Sequence, residues 1–290
     1  LLNCAKIRQN KAKGAKMVIQ KNSIIITELK DFDIRHILDC GQIFRYEKLG
    51  EGEYKVYSKD KTCLVRQSED NAVIESDDPN YFVNYFDLER DYGEIKQRLS
   101  GKPFMDEAME YGHGIRILNQ DKWEMLISFI ISANNHIPRI KGIIGRLCAS
   151  LGENMGDYYA FPTPEAMASK DEEFYKALGA GYRAKYLAVT ARLVADGFDL
   201  EAIDCMDGNT ANKKLCTLMG VGSKVADCIL LFGYHKQDVF PVDTWIKKVY
   251  KDVVGDDVDN NNVIRRKLID IYGEYSGYAQ QYLFFNKREN

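Results

Sequence analysis

The chain has 290 residues, 45% hydrophobic and 29% charged, with a formal net charge of -3 and a pI near 5.9. That is the composition of an ordinary globular protein with enough length for a sizeable core, and no apolar run reaches the roughly 20 residues of a membrane span. The seven cysteines (Cys4, Cys40, Cys63, Cys148, Cys205, Cys216, Cys228) are odd in number and never spaced C-x-x-C, and the four histidines are dispersed. A disulfide scaffold, a cysteine metal cluster and a zinc site are therefore disfavoured, and a reducing, intracellular setting is expected.

Residues 1–22 carry Lys6, Arg8, Lys11, Lys13, Lys16 and Lys21 with no acid and no apolar signal core. They read as a disordered basic tail adding non-specific phosphate attraction. Residues 23–86 read as β-rich, with strands at 23–29, 54–58, 63–67 and 71–75 and turns at 50–52 and 59–61. Helical stretches follow at 81–99 and 103–111.

From about residue 115 the pattern turns helical. Asp121 and Glu124 have capping-box spacing, and Trp123, Leu126, Ile127, Ile130 and Ile131 recur at helical intervals. Residues 132–137 interrupt that helix. Pro138 opens the next, whose buried stripe is Ile140, Ile143, Ile144, Leu147 and Cys148. Further helices are predicted over 165–178, 184–195, 211–219, 224–234, 243–253, 262–272 and 278–285. The fold class is α+β: an N-terminal antiparallel β-sheet unit with helices (23–114), then a helical domain (115–290).

The chemistry concentrates in Leu218-Met219-Gly220-Val221-Gly222-Ser223-Lys224, which reads as a glycine hairpin between two helices. Gly220 and Gly222 permit the tight reversal, and the amides opening the second helix can face a phosphate. Lys224, in that first turn, is a nucleophile candidate whose pKa the helix N-terminus is expected to pull down. Cys228 shares its helix face at i+4. Asp243, after Phe240-Pro241-Val242, has N-cap spacing and is also a candidate for stabilising developing positive charge. Acidic residues crowd 69–94 and 256–259, whereas Arg139, Lys141, Arg146, Arg183, Lys185, Lys247, Lys248 and Lys251 flank the hairpin and loop segments.

Gly-Val-Gly-Ser-Lys-Val-Ala-Asp-Cys followed by Pro-Val-Asp-Thr-Trp resembles the helix-hairpin-helix and Gly/Pro-Asp motif of 8-oxoguanine DNA glycosylases. Gly41-Gln42-Ile43-Phe44-Arg45-Tyr46 resembles an early segment of that family. Asn134-Asn135-His136 with Arg139, and Gly181-Tyr182-Arg183, resemble its DNA-probing loops; Gly277-Tyr278-Ala279-Gln280 with Phe284 resembles its C-terminal pocket segment. The resemblance spans about residues 23–288.

The resemblance implies a bifunctional glycosylase/lyase acting on double-stranded DNA that contains 8-oxoguanine opposite cytosine. Lys224 would attack C1′ of a flipped-out nucleotide and form a Schiff base that permits β-elimination, with Asp243 stabilising charge. Asn134 would fill the vacated space and Tyr182 wedge the stack, while Arg139 and Arg183 read the orphaned cytosine. The Gly41 carbonyl would accept the lesion's N7 hydrogen where normal guanine presents an acceptor. Gln280 would read the Watson–Crick edge, and Phe284 and Cys228 would sandwich the base. Gly220 and Gly222 would meet phosphate. The chain departs from the family's pattern in four places: Trp245 stands where a phosphate-contacting histidine is frequent, His136 where another asparagine is, and Tyr46 and Tyr278 where tryptophan is. No metal or cofactor is expected to take part, membrane association is not expected, and a monomer is. Two alternatives stay open: a broader or monofunctional base glycosylase, and a non-catalytic helix-hairpin-helix DNA-binding module.

Overall fold

The computed structural model describes residues 16–290; the first fifteen residues of the expected basic tail lie outside the described residues. By contacts the chain divides into two units. The described part of the first comprises residues 16–57, Lys61–Asn119 and Gln281–Asn290.

Its centre is a six-stranded sheet of β1 (Lys16–Ile19), β2 (Ser23–Thr27), β3 (Tyr46–Gly50), β4 (Glu53–Ser58), β5 (Lys61–Gln67) and β6 (Asn71–Glu75), in the order β1-β2-β6-β5-β4-β3. The pairs β1–β2, β2–β6, β5–β6 and β3–β4 are antiparallel. Strand periodicity of two sends Ile24 and Ile26, Tyr54 and Val56, Cys63 and Val65, and Ala72 and Ile74 into one core. Against them pack Ile34, Ile37 and Leu38 of α1 (Ile34–Asp39) and Phe82, Val83 and Tyr85 of α2 (Pro79–Tyr85).

Three elements here escape sequence periodicity. β1 lies in a basic run, β3 is largely exposed, and the six-residue α1 is too short for a helical window. The helix predicted over 81–99 is two helices, α2 and α3 (Tyr92–Leu99). Asp87 breaks it with φ of 50° and accepts from Arg90 Nε at 2.7 Å and the Tyr92 hydroxyl at 3.0 Å. Asp91 then caps α3. α4 (Met105–Tyr111) completes the helices of this unit before the final segment.

The second unit comprises Ser58–Asp60 and Gln120–Gln280. Its helices are α5 (Lys122–Ser132), α6 (Ile137–Leu151), α7 (Pro164–Ala168), α8 (Glu172–Ala177), α9 (Arg183–Ala195), α10 (Gly208–Leu215), α11 (Ser223–Gly233), α12 (Thr244–Val254), α13 (Asn261–Tyr272) and the first turn of α14 (Ser276–Glu289). Apart from its first residue, α5 is buried on nearly every face and packs on α6, α9 and α11, as an all-round apolar helix must. Asp121 caps it by accepting from the Glu124 N–H, while the Glu124 carboxylate accepts from the Lys59 N–H at 2.9 Å. The single helix predicted over 165–178 is also divided, because Asp171 starts α8 with its own cap on the Phe174 N–H.

Candidate active site and DNA-facing loops

The hairpin joins α10 to α11. Gly220 turns the chain with φ of 88°, and a Cβ there would come within 2.7 Å of the Tyr186 ring, so only glycine fits both the conformation and the contact. Thr190 donates its hydroxyl to the Met219 carbonyl at 3.0 Å and pins the loop to α9. Gly222 is the N-cap of α11 and has open space where a side chain would project. The opening amides of α11 thus begin at a bare glycine, a shape that admits an anion.

Lys224 stands in the first turn of α11, with Nζ 5.8 Å from the centre of the Phe129 ring. Cys228, one turn on, and Asp243 both lie near enough to act on its charge. The expectation of a depressed lysine is overturned. Cys228 first and then Asp243 pull the Lys224 pKa upward, against the downward effect of burial. Burial pushes the Cys228 thiol up while the Lys224 amine draws it down, so the two titrate against each other with the Asp243 carboxylate beside them. Asp243 is at the same time the N-cap of α12, its Oδ1 accepting from Trp245 N at 3.0 Å and Ile246 N at 2.9 Å. Both readings of Asp243 meet in one carboxylate, since the cap is what holds it beside the amine.

Gln280 also belongs to the second unit. It is 5% exposed, and its Oε1 is buried without a hydrogen-bond partner among the described residues. A buried amide oxygen left so is costly unless something is meant to meet it. Cys228 is likewise buried.

Gly41 and Phe284 belong to the first unit. Gly41 has φ of 83°, and a Cβ there would stand 3.3 Å from Phe284 Cε1 and from Arg288 Nη1. Gln281 donates to the Cys40 carbonyl at 2.6 Å, so α14 is tied to the backbone beside Gly41. Gln42, part of the same motif, is structural: it donates to the Ile37 and Arg116 carbonyls and accepts from Leu118 N.

The loop residues lie in the second unit. Asn134 is exposed with φ of 50°, Arg139 is exposed and reaches the Gly179 carbonyl at 3.2 Å, and Tyr182 is 55% exposed. Arg183 is buried. Its guanidinium lies over Tyr182 at 4.3 Å, donates to the Ala133 carbonyl and reaches the Asn134 carbonyl at 2.8 Å. It therefore joins the two loops, a role that its Arg-Ala-Lys setting gave no sign of. Lys248 lies 4.2 Å over the Trp245 ring on α12, at the i+3 spacing that could have been read from the sequence.

One group of potential metal ligands, Asp33, His36 and His113, occurs among the described residues. His36 Nδ1 already accepts the Gly114 N–H at 3.3 Å, which leaves the proton on its other nitrogen. Its one lone pair is thus engaged by the chain's own amide.

The second unit is thus defined by a glycine hairpin with a lysine on its exit helix and an N-cap aspartate within electrostatic reach, the arrangement of a helix-hairpin-helix repair protein. Two family models divide the chain: the 8-oxoguanine DNA glycosylase N-terminal domain over residues 24–126 and the HhH-GPD superfamily base excision DNA repair protein over 127–272. An N-glycosylase/DNA lyase of Saccharomyces cerevisiae is 30% identical, covering 94% of this chain and 85% of the relative. N-glycosylase/DNA lyase OGG1 of Arabidopsis thaliana is 30% identical over 84% of this chain and 74% of its own. The crystal structure of Clostridium acetobutylicum 8-oxoguanine glycosylase/lyase, in complex with double-stranded DNA containing cytosine opposite 8-oxoguanine, has a TM-score of 0.89 at 41% identity, covering 94% of this chain and 98% of that one. The chain belongs to the 8-oxoguanine DNA glycosylase family.

Proposed function

We propose that the protein is a bifunctional DNA glycosylase and abasic-site lyase that excises 8-oxoguanine paired with cytosine from double-stranded DNA. The observation that carries this reading is the Lys224 amine at the start of the hairpin's exit helix, beside Cys228 and within electrostatic reach of the Asp243 carboxylate. A DNA-binding hairpin needs no such amine, and a glycosylase that uses water as nucleophile has no use for it.

In this reading Lys224 loses a proton and its lone pair attacks C1′ of the flipped nucleotide. The glycosidic bond breaks, its electrons leave with the base, and the base nitrogen takes up a proton. Asp243 stabilises the positive charge that develops on the sugar. Ring opening leaves a Schiff base on Lys224, and loss of the C2′ proton expels the 3′ phosphate by β-elimination. Gly41, Phe284, Cys228 and Gln280 are assigned to the base, and the unpartnered Oε1 of Gln280 supports its part. Asn134 and Tyr182 are assigned to extrusion. Arg139 and Arg183 are assigned to the cytosine, with Arg183 exchanging loop carbonyls for the base edge on binding. Gly220, Gly222 and Trp245 are assigned to the DNA backbone. The N-terminal α+β domain and the glycosylase domain act together as a monomer without a cofactor in an intracellular setting. Among the described residues no helix is long and apolar enough to cross a membrane.

The test is borohydride trapping on a duplex with 8-oxoguanine opposite cytosine, with base release followed by chromatography across 8-oxoguanine, alkylated purines and abasic sites. A covalent adduct lost in Lys224→Gln, together with 8-oxoguanine release, is expected. An equal adduct in the variant removes Lys224 as nucleophile. Lesion-blind, salt-sensitive binding without base release leaves only a binding module.

A further inference from the structure

Asp227, one turn beyond Lys224 on α11, is 1% exposed, and no role in the chemistry above uses it. Its carboxylate accepts Arg265 Nε at 2.5 Å and Nη2 at 3.1 Å and Asn212 Nδ2 at 2.6 Å, and it lies close enough to the backbone N–H of Phe240 to feel it. Asn212 also donates to the Ser223 carbonyl at 2.9 Å, and Arg265 Nη1 donates to Asn209 Oδ1 at 2.7 Å. Four segments of the second unit converge here: α10 through Asn209 and Asn212, α11 through Asp227, α13 through Arg265, and the chain entering α12 through Phe240.

Two of these attachments fall next to the reacting groups. Ser223 immediately precedes Lys224, and Phe240 lies three residues before Asp243. A buried ion pair adds little stability over a well-packed apolar substitute, so stability alone is a weak account of it. It differs from apolar packing in direction: charge-assisted hydrogen bonds fix a helix's rotation and register, whereas hydrophobic contact is non-directional. Around it, Ile264 and Leu268 of α13 and Ala211 and Leu215 of α10 are buried, so the unit has apolar surface to hold these helices together without it.

We propose that the buried Asp227–Asn212–Arg265 network is a positioning device that sets Lys224 in register with Asp243. It acts through the Ser223 carbonyl on one side and the Phe240 amide on the other. This inference rests on the functional reading above, and it makes Asp227, Asn212 and Arg265 positioning residues that need not touch DNA.

Asn212→Ala is the test, because it removes the tie to Ser223 while leaving the Asp227–Arg265 pair. Single-turnover base release should fall about 10- to 100-fold, the scale of a displacement near one ångström. Affinity for the lesion duplex, measured as Asn212→Ala/Lys224→Gln against Lys224→Gln alone, should stay within about twofold. Met167→Ala, a core change on α7, serves as the stability control and should keep base release when assayed equally far below its own melting temperature. Asp227→Asn should repeat the loss of rate if it folds. Wild-type release by Asn212→Ala, or release and affinity falling in parallel, would overturn the positioning role while leaving the functional reading intact. A wild-type protein that releases no base removes the functional reading first, and the network's role with it.

Discussion

Lys224 and Cys228 stand one turn apart on one face of α11, and each acts on the other's ionisation. The amine thus lies beside a buried sulfur, with Asp243 acting on it as well. Because its pKa is raised, the ammonium persists over a wider pH range and the free amine appears only as pH climbs. Base release should therefore rise with pH through the alkaline range. Asp243→Asn removes an upward pull, so the alkaline limb should move to lower pH, while the maximal rate falls about 100-fold through lost charge stabilisation. Single-turnover rates across pH check both; an unmoved limb would separate Asp243 from the amine.

Gly41→Ala places a methyl group at φ of 83°, against Phe284 and Arg288. The left-handed conformation alone costs about 1–2 kcal/mol for a non-glycine residue. A lower urea midpoint is expected, with a larger loss in preference for lesion over normal duplex than in overall DNA affinity. Urea titration and paired binding isotherms measure these.

Gly220→Ala combines the same conformational cost with a Cβ driven into the Tyr186 ring. The loop must shift, since the ring sits on α9 and cannot simply swing like the end of a flexible chain. We expect a loss of about 2–3 kcal/mol and weaker binding to undamaged and damaged duplex alike, because the phosphate contacts are not lesion-specific. Fluorescence anisotropy on the two duplexes distinguishes this from a pocket defect.

His36 supplies a pH effect on stability in the first unit. Burial lowers its pKa in the folded protein, Asp33 opposing and His113 adding to the shift, and its ring packs 4.7 Å from His113. Above the unfolded value of about 6.5 both states are neutral and the group contributes no slope. As pH falls below that value the unfolded chain takes up a proton that the folded one resists, so stability is lost, by at most about 1.4 kcal/mol per pH unit. His36→Gln should flatten this part of the acid limb in urea midpoints compared near pH 7.5 and pH 5.5. An unchanged slope would assign the effect to other groups.

Arg183→Ala releases the Ala133 and Asn134 carbonyls that the guanidinium holds. Stability should drop by about 1–3 kcal/mol through the lost charge-assisted hydrogen bonds. Tyr182 also loses its stacked partner. Proteolysis within residues 132–137 should accelerate, and limited digestion with proteinase K followed by mass spectrometry would detect it.

Much of this protein was determined by local sequence. The alternation in β2, β4, β5 and β6, the glycine hairpin, and the helical spacing of α5, α6, α9 and α11 each depend on neighbours within a turn or a strand. So do the caps at Asp121 and Asp243, because a capping side chain reaches amides only two or three residues away. Other features depended on partners distant in the chain. The predicted helix broke at Asp87, whose carbonyl accepts from Arg116 of a distant segment, and the last ten residues joined the sheet unit through the Gln281 and Arg288 contacts to residues 39–41. The direction of the Lys224 shift was reversed because helix position favours the neutral amine, whereas Cys228 and Asp243 favour the charged one, and only the tertiary structure fixes what stands beside the nitrogen. Residues 209, 212, 227 and 265 give no periodic signal, since a buried polar network is specified by directional bonds across helices and not by spacing along one.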